Sequence, residues 1–403
     1  MDGQTPATLT GIAIAGRVGA WDLTHQGGRI TALRPSSGQV DPLRPAVGQG
    51  RGLITPLMAD IHTHLDKTFT IQRMPRRAES LFDAIEMMAD DATRWTGDDI
   101  RARALLALTR AWHHGTALMR SHVDWHGAEA PLAWPILCEL AQEWRGRIGL
   151  QLASLTPLDV LPQIGPAIAA RLRADGGILG AFVYRNDDLP AKVAAVFDLA
   201  EKYGLNLDFH VDEGLEAQAQ GFDAIVAQAE ARGMGTRVLC GHCCSLSVRE
   251  PDQVARLLER AARAGVGLTV LPGANSYLQD ASTGRTPRLR GLAPLQEAAQ
   301  AGMAVMIGSD NVRDGFYPYG DYDLTDVFRL AVVAGHLPPE GWLDAVTTRP
   351  AVWMGGSTEI REGGPASFIR HDAADLAELV SRPGAARQIW RDGHVLPQTG
   401  DLG

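Results

Sequence analysis

Eight short apolar runs, each followed by a longer stretch, constrain this chain more than any other feature. The runs span residues 53–64, 116–123, 150–155, 178–184, 205–211, 238–242, 266–271 and 304–310. Between them lie amphipathic stretches at helical spacing, among them 80–95, 191–203, 216–232 and 251–265. Continuous apolar runs of this length suit parallel strands buried on both faces, and such strands need long crossovers. Eight strand–helix units over about 280 residues predict an α/β fold of the (β/α)8 TIM-barrel type. A doubly wound open sheet is the alternative pattern. Outside this region the chain reads as short strands and turns, at 9–14, 29–33, 367–369 and 388–390. Asp392-Gly393 marks a turn after the last of these.

Composition narrows the functional classes. Of 403 residues, 45% are apolar and 21% charged, enough to bury a large core and too apolar for disorder. Lys and Arg number 38 against 47 Asp and Glu, a net charge of −9, with no basic run. Nucleic acid and anionic membranes are therefore not expected partners. Residues 1–16 lack a basic segment followed by an apolar core, and no apolar run approaches about 18 residues, so neither a signal peptide nor a membrane span is expected. Four cysteines, Cys138, Cys240, Cys243 and Cys244, are too few for a disulfide scaffold and suggest a reduced, cytoplasmic setting.

Polar residues stand where the runs end, which in a barrel is the face that carries active sites. The first run closes on His62-Thr63-His64-Leu65-Asp66-Lys67. A strand's period of two puts His62 and His64 on one side, where two imidazoles can share a metal ion. The fifth run closes on His210-Val211-Asp212-Glu213, the sixth on Cys240-Gly241-His242 and the eighth on Gly308-Ser309-Asp310-Asn311. Glu213 reads either as a general acid/base or as a cap for a helix beginning near Leu215. Cys240-x-x-Cys243 invites a redox reading. His113 and His114 read as a helix C-terminus.

These residues together resemble the metal-site signature of the amidohydrolase superfamily. The likeness is strongest to its cytosine deaminase branch, through H-T-H-L-D-K at 62–67, H-V-D-E at 210–213, G-H at 241–242, G-S-D-N at 308–311 and F-Y-P-Y-G at 316–320. Arg120-Ser121-His122-Val123-Asp124 resembles that branch's second-strand motif. The resemblance implies a small β-sandwich domain from residues 1–52 and 357–403 beside a catalytic barrel at 53–356. Against a redox pair, it implies buried structural cysteine at Cys240 and Cys243. It implies that His62, His64, His210 and Asp310 hold one divalent metal, Zn²⁺ or Fe²⁺. No lysine ends the fourth strand at Val183-Tyr184-Arg185-Asn186 to bridge a second ion. Glu213, His242 and Asp310 become the catalytic residues, with Glu213 and Asp310 moving protons and His242 orienting the nucleophile. The expected reaction is hydrolytic release of ammonia from an amino-substituted nitrogen heterocycle, an aminopyrimidine or aminotriazine. The expected partner is that small molecule, in a homo-oligomer.

Around the substrate the pattern departs from the cytosine type. Pro157 stands where that branch places a ring-reading glutamine, Asn311 where it has a second aspartate, and Phe316 where it has a tryptophan. Asn311 can donate as well as accept, which suits a ring with an extra carbonyl. Lys67 and Asn311 resemble the related branch that removes alkylamines from hydroxylated s-triazines such as N-isopropylammelide; cleavage of a cyclic amide or of such an N-alkylamine is the alternative activity. Lys67, Pro157, Asn311, Phe316, His122 and Trp125 are the candidate substrate contacts.

Overall fold

The computed structural model describes residues 5–37 and 52–397. The parts of the expected terminal domain at 1–4, 38–51 and 398–403 lie outside the described residues.

The first apolar run is divided by Pro56, which has no N–H to give a sheet ladder. Before it, β4 (Leu53–Thr55) joins a sheet with β1 (Ala7–Ile14), β2 (Ala20–Gln26), β3 (Arg29–Pro35), β13 (Phe368–His371), β14 (Arg387–Arg391) and β15 (His394–Val395). This mixed seven-stranded sheet runs in the order β15-β14-β13-β4-β1-β2-β3, so both ends of the chain meet through β4. Its core packs Ile12, Leu23, Ile30, Ile54 and Phe368, with the Trp390 ring stacked on Phe368 at 5.3 Å.

After Pro56 the chain enters the second sheet. Its strands are β5 (Met58–Thr63), β6 (Thr116–Asp124), β7 (Gly149–Pro157), β8 (Leu179–Val183), β9 (Leu207–Val211), β10 (Val238–His242), β11 (Gly267–Val270) and β12 (Val305–Ile307). All eight lie in sequence order. A parallel bridge between Thr63 and Asp310 brings the chain beyond β12 onto β5, and the Asp310 N–H donates to the His62 carbonyl at 2.8 Å. The expected (β/α)8 barrel is therefore the observed one. Every residue of β9 and β10 is buried, as strands covered on both faces require.

The crossovers are helices: α1 (Leu81–Ala92), α2 (Gly97–His113), α3 (Ala133–Glu143), α4 (Leu161–Asp175), α5 (Leu189–Tyr203), α6 (Gly221–Arg232), α7 (Pro251–Ala264) and α8 (Pro272–Leu278). In α7 the buried positions Val254, Leu257, Leu258 and Ala261 follow the i, i+3, i+4, i+7 spacing of one apolar stripe. α2 ends at His113, as the sequence predicts. Among the described residues no helix is long and apolar enough to cross a membrane. Contacts divide the described residues into two compact units. One comprises residues up to Ala59, Arg110–Ala117 and Asp323 onward, and the other Asp60–Thr109 and Leu118–Tyr322.

Candidate active site

All the candidate metal ligands belong to the unit that carries Asp60–Thr109 and Leu118–Tyr322. His62 lies on β5 with His64 just beyond its end. His210 lies on β9, His242 closes β10, and Asp310 follows three residues after β12. The His62 ring occupies space that two glycines leave free. A Cβ at Gly241 would stand 2.8 Å from His62 Cε1, and one at Gly308 would stand 2.9 Å from the His62 carbonyl oxygen. His242 and Asp310 both hold left-handed backbone, at φ +68° and +61°. Non-glycine residues in that region cost about 1–3 kcal/mol and concentrate at functional sites. Below Asp310, Ser309 donates to buried Asp60 through Oγ at 2.5 Å and through its N–H at 3.1 Å.

The donor atoms converge. His62 Nε2 is 3.1 Å from His210 Nε2, His210 Nε2 is 3.2 Å from His64 Nε2, and Asp310 Oδ1 is 3.5 and 3.2 Å from His62 and His64. Ligands at roughly 2.0–2.1 Å from a shared tetrahedral ion stand about 3.3 Å apart, so these separations suit one ion. Both Asp310 oxygens are buried and without a hydrogen-bond donor. A buried carboxylate facing three imidazoles in this way fits a cation. His242 also comes within 4.8 Å of His62, His210 and Asp310. Asn275 Nδ2 lies 2.9 Å from its Nδ1, and its Nε2 faces the site unpaired.

Burial sets the protonation states. It lowers His64 to about 4 and His242 to about 3, and holds His210 well below its ordinary value, so all three rings are neutral at pH 7. Burial opposes ionisation of Asp310, yet the nearby imidazoles of His242, His62 and His64 hold its carboxyl well below the usual range. Burial and the charge of Asp310 push Glu213 well above it. Glu213 Oε1 lies 3.4 Å from His242 Nδ1. The helix expected near Leu215 begins at Gly221 with Gln220 at its N-cap, so Glu213 caps nothing.

A cavity of about 410 Å³ opens onto this cluster. Lys67, Pro157, Asn311 and Phe316 line it together with His64, His210, His242 and Glu213. Lys67 Nζ is 2.7 Å from Asp124 Oδ1 and 5.2 Å above the Phe316 ring. Asn311 Nδ2 donates to Asp314 Oδ2 at 2.7 Å, so one N–H expected for substrate is spent on a neighbour. His122 and Trp125 do not reach the cavity. His122 is fully buried, its ring 4.2 Å from that of His62, and Trp125 packs on Trp134 at 5.0 Å. The cavity wall takes His126 instead, one residue past Trp125. Cys240, Cys243 and Cys244 are buried and unbridged, with thiols raised by burial, as structural cysteines are.

Three contributors escape the sequence reading. Asn275 and Asp314 come from a helix and a loop that no motif marks. The α1 face that lines the cavity reads in sequence as an ordinary core stripe, Leu81, Ile85, Met88 and Ala92 at i, i+4, i+7 and i+11.

Comparison with known proteins agrees with this geometry. The amidohydrolase family model matches residues 164–397, more than half of the chain. A pterin deaminase of Rhizobium rhizogenes is 36% identical over 357 residues, covering 86% of this chain and 81% of its own. The crystal structure of N-isopropylammelide isopropylaminohydrolase from Burkholderia multivorans superposes with a TM-score of 0.75 at 26% identity, over 97% of this chain and 98% of the other. The 5-methylcytosine deaminase of Klebsiella pneumoniae superposes with a TM-score of 0.85 at 23% identity, covering 98% of each chain, and shares the fold. A family model spanning most of the barrel's second half, with a relative this similar along nearly the whole chain, leaves one conclusion: the chain belongs to the amidohydrolase family.

Proposed function

We propose that the protein is a metal-dependent hydrolase that deaminates a fused amino-oxo heterocycle of the pterin type. The observation that carries the reaction class is that Glu213, His242, His64 and His210 line one cavity, with Asp310 3.2 Å from His64 behind its wall. Three things favour the fused ring over cytosine. The pterin deaminase relative is 36% identical over 86% of this chain. The cavity falls within the roughly 300–1,000 Å³ that encloses drug-sized ligands. Pro157 offers a cytosine amide no side-chain partner.

His62, His64, His210 and Asp310 would hold one divalent ion, Zn²⁺ or Fe²⁺, since an N₃O donor set suits either. Such an ion lowers the pKa of water toward neutrality and acts as a Lewis acid. Asp310 takes the proton of the attacking water on its second oxygen. Glu213, whose carboxyl burial pushes well above the ordinary range, gives its proton to the ring nitrogen beside the amine-bearing carbon; the ion's own charge acts in the opposite sense on this group. With Nδ1 occupied by Asn275, His242 presents Nε2–H to the oxygen that develops negative charge. Asp310 returns its proton to the amine, the new hydroxyl gives its proton back to Glu213, and ammonia leaves as the ring carbonyl forms. The structural likeness to the isopropylaminohydrolase favours release of an alkylamine as the second reading. Product analysis on pterin, cytosine, ammelide and N-isopropylammelide separates the two. Ammonia from pterin is expected; isopropylamine as the fastest-formed product would replace this reading with the second.

A further inference from the structure

The wall opposite the proposed chemistry carries a second message, which rests on the deaminase reading above. One face of α1 lines the cavity through Leu81, Ile85, Met88, Ala89 and Ala92, and the lining continues through Trp95 and Leu132. Leu81, Ile85, Phe182 and Phe316 pack as one apolar cluster, so this wall is continuous. Its inner residues Leu81 and Met88 are buried, Ile85 and Trp95 are half-buried, and Leu132 is 52% exposed at the mouth. The opposite face of α1 is acidic, with exposed Glu86 and Asp90. The apolar face is turned to the cavity, with Ala89 and Ala92 exposed along it.

The charged groups on the lining give an anion no welcome. Lys67 is its one lysine or arginine among the described residues, and that side chain is bound to Asp124. Asp66, Asp124 and Glu213 line the same space. Along the α1 face, Trp95 and Leu132 a carboxylate on the substrate would meet apolar groups, with His126 and Asn311 elsewhere on the lining, and burying a charge without a partner is costly.

We propose that the α1 face, Trp95 and Leu132 form a subsite for an uncharged, apolar substituent carried on the ring edge away from the scissile amine. The enzyme then selects alkyl- or aryl-substituted amino-heterocycles over those with an anionic side chain. One methylene in an apolar pocket is worth roughly 10–200-fold in kcat/KM, so the selection is measurable.

The test uses the metal-replete full chain and three 2-amino-4-oxopteridines: unsubstituted, isopropyl-substituted, and carboxyl-substituted at the same carbon. The isopropyl compound should exceed the carboxyl compound in kcat/KM by about 10-fold or more. Leu132→Lys, at an exposed position, should shrink or invert that ratio by supplying a cation. Ile85→Ala should lower the ratio of isopropyl to unsubstituted ring. Equal or faster turnover of the carboxyl compound by the wild-type enzyme overturns the subsite while the deaminase reading stands. So do ratios that neither variant changes. Failure to release ammonia from all three rings overturns the deaminase reading, and the subsite falls with it.

Discussion

Glu213 is a buried carboxyl that its surroundings push well above the ordinary range, which favours the protonated form that the proposed general-acid role needs. Glu213→Gln keeps the shape and removes the proton. Metal content should be unchanged, and kcat should fall by about 10²-fold or more, as loss of a general acid implies. Near-normal turnover would remove Glu213 from the proton path. Asn275 acts through His242. Leucine is close to asparagine in size, and Asn275→Leu should leave metal content and KM near normal while lowering kcat by roughly 10-fold, a loss of about 1.4 kcal/mol. Loss of metal in that variant would instead show His242 to be a ligand. His62, His64, His210, Glu213 and Asp310 are legible in the sequence because each ends or follows an apolar run, where position alone implies the rim. Asn275 and Asp314 are not legible. Asn275 depends on a contact across 33 residues that no local pattern encodes, and Asp314, three residues past Asn311, falls in a stretch that no motif marks. Trp125 shows the complementary error: it adjoins a strand end, yet a facing Trp134 offers a better burial than the cavity does.

At the scale of elements, β5, β10 and the turn after β12 pack closely enough that side-chain size governs the site. The Cβ of Gly241→Ala would press on His62 Cε1 at 2.8 Å with the Phe209 carbonyl behind it at 3.3 Å. Overpacking of this kind costs about 1–3 kcal/mol. The variant should melt earlier and bind metal more weakly, as thermal denaturation and metal analysis would record; unchanged metal affinity would mean that His62 tolerates displacement. The strand–helix alternation is readable because its two periods differ. The division of the first run at Pro56 is less so, since both halves are equally apolar and only pairing partners distinguish β4 from β5. β2 escapes notice for a related reason: Ala20–Gln26 mixes polar and apolar residues at a sheet position with partners on both sides.

For the whole molecule, stability and activity respond to pH through different groups. In the terminal sheet His371 Nε2 pairs with Thr55 Oγ1 at 2.9 Å, and burial with the nearby Arg387 lowers the ring to about 3. Above pH 6.5 both folded and unfolded states hold this ring neutral. As pH falls from 6.5 toward 3 the unfolded chain gains a proton that the folded one refuses. Stability is then lost at about 1.4 kcal/mol per pH unit. Tm should therefore fall more steeply below pH 6.5 in the wild type than in His371→Gln; parallel curves would exclude this group as the source. The central claim concerns the other unit, and ammonia release from pterin before and after metal removal tests it most directly. The account predicts ammonia from the metal-replete enzyme, none after chelation, and recovery with about one equivalent of Zn²⁺ or Fe²⁺ per chain. Undiminished ammonia release from fully metal-free protein would contradict it.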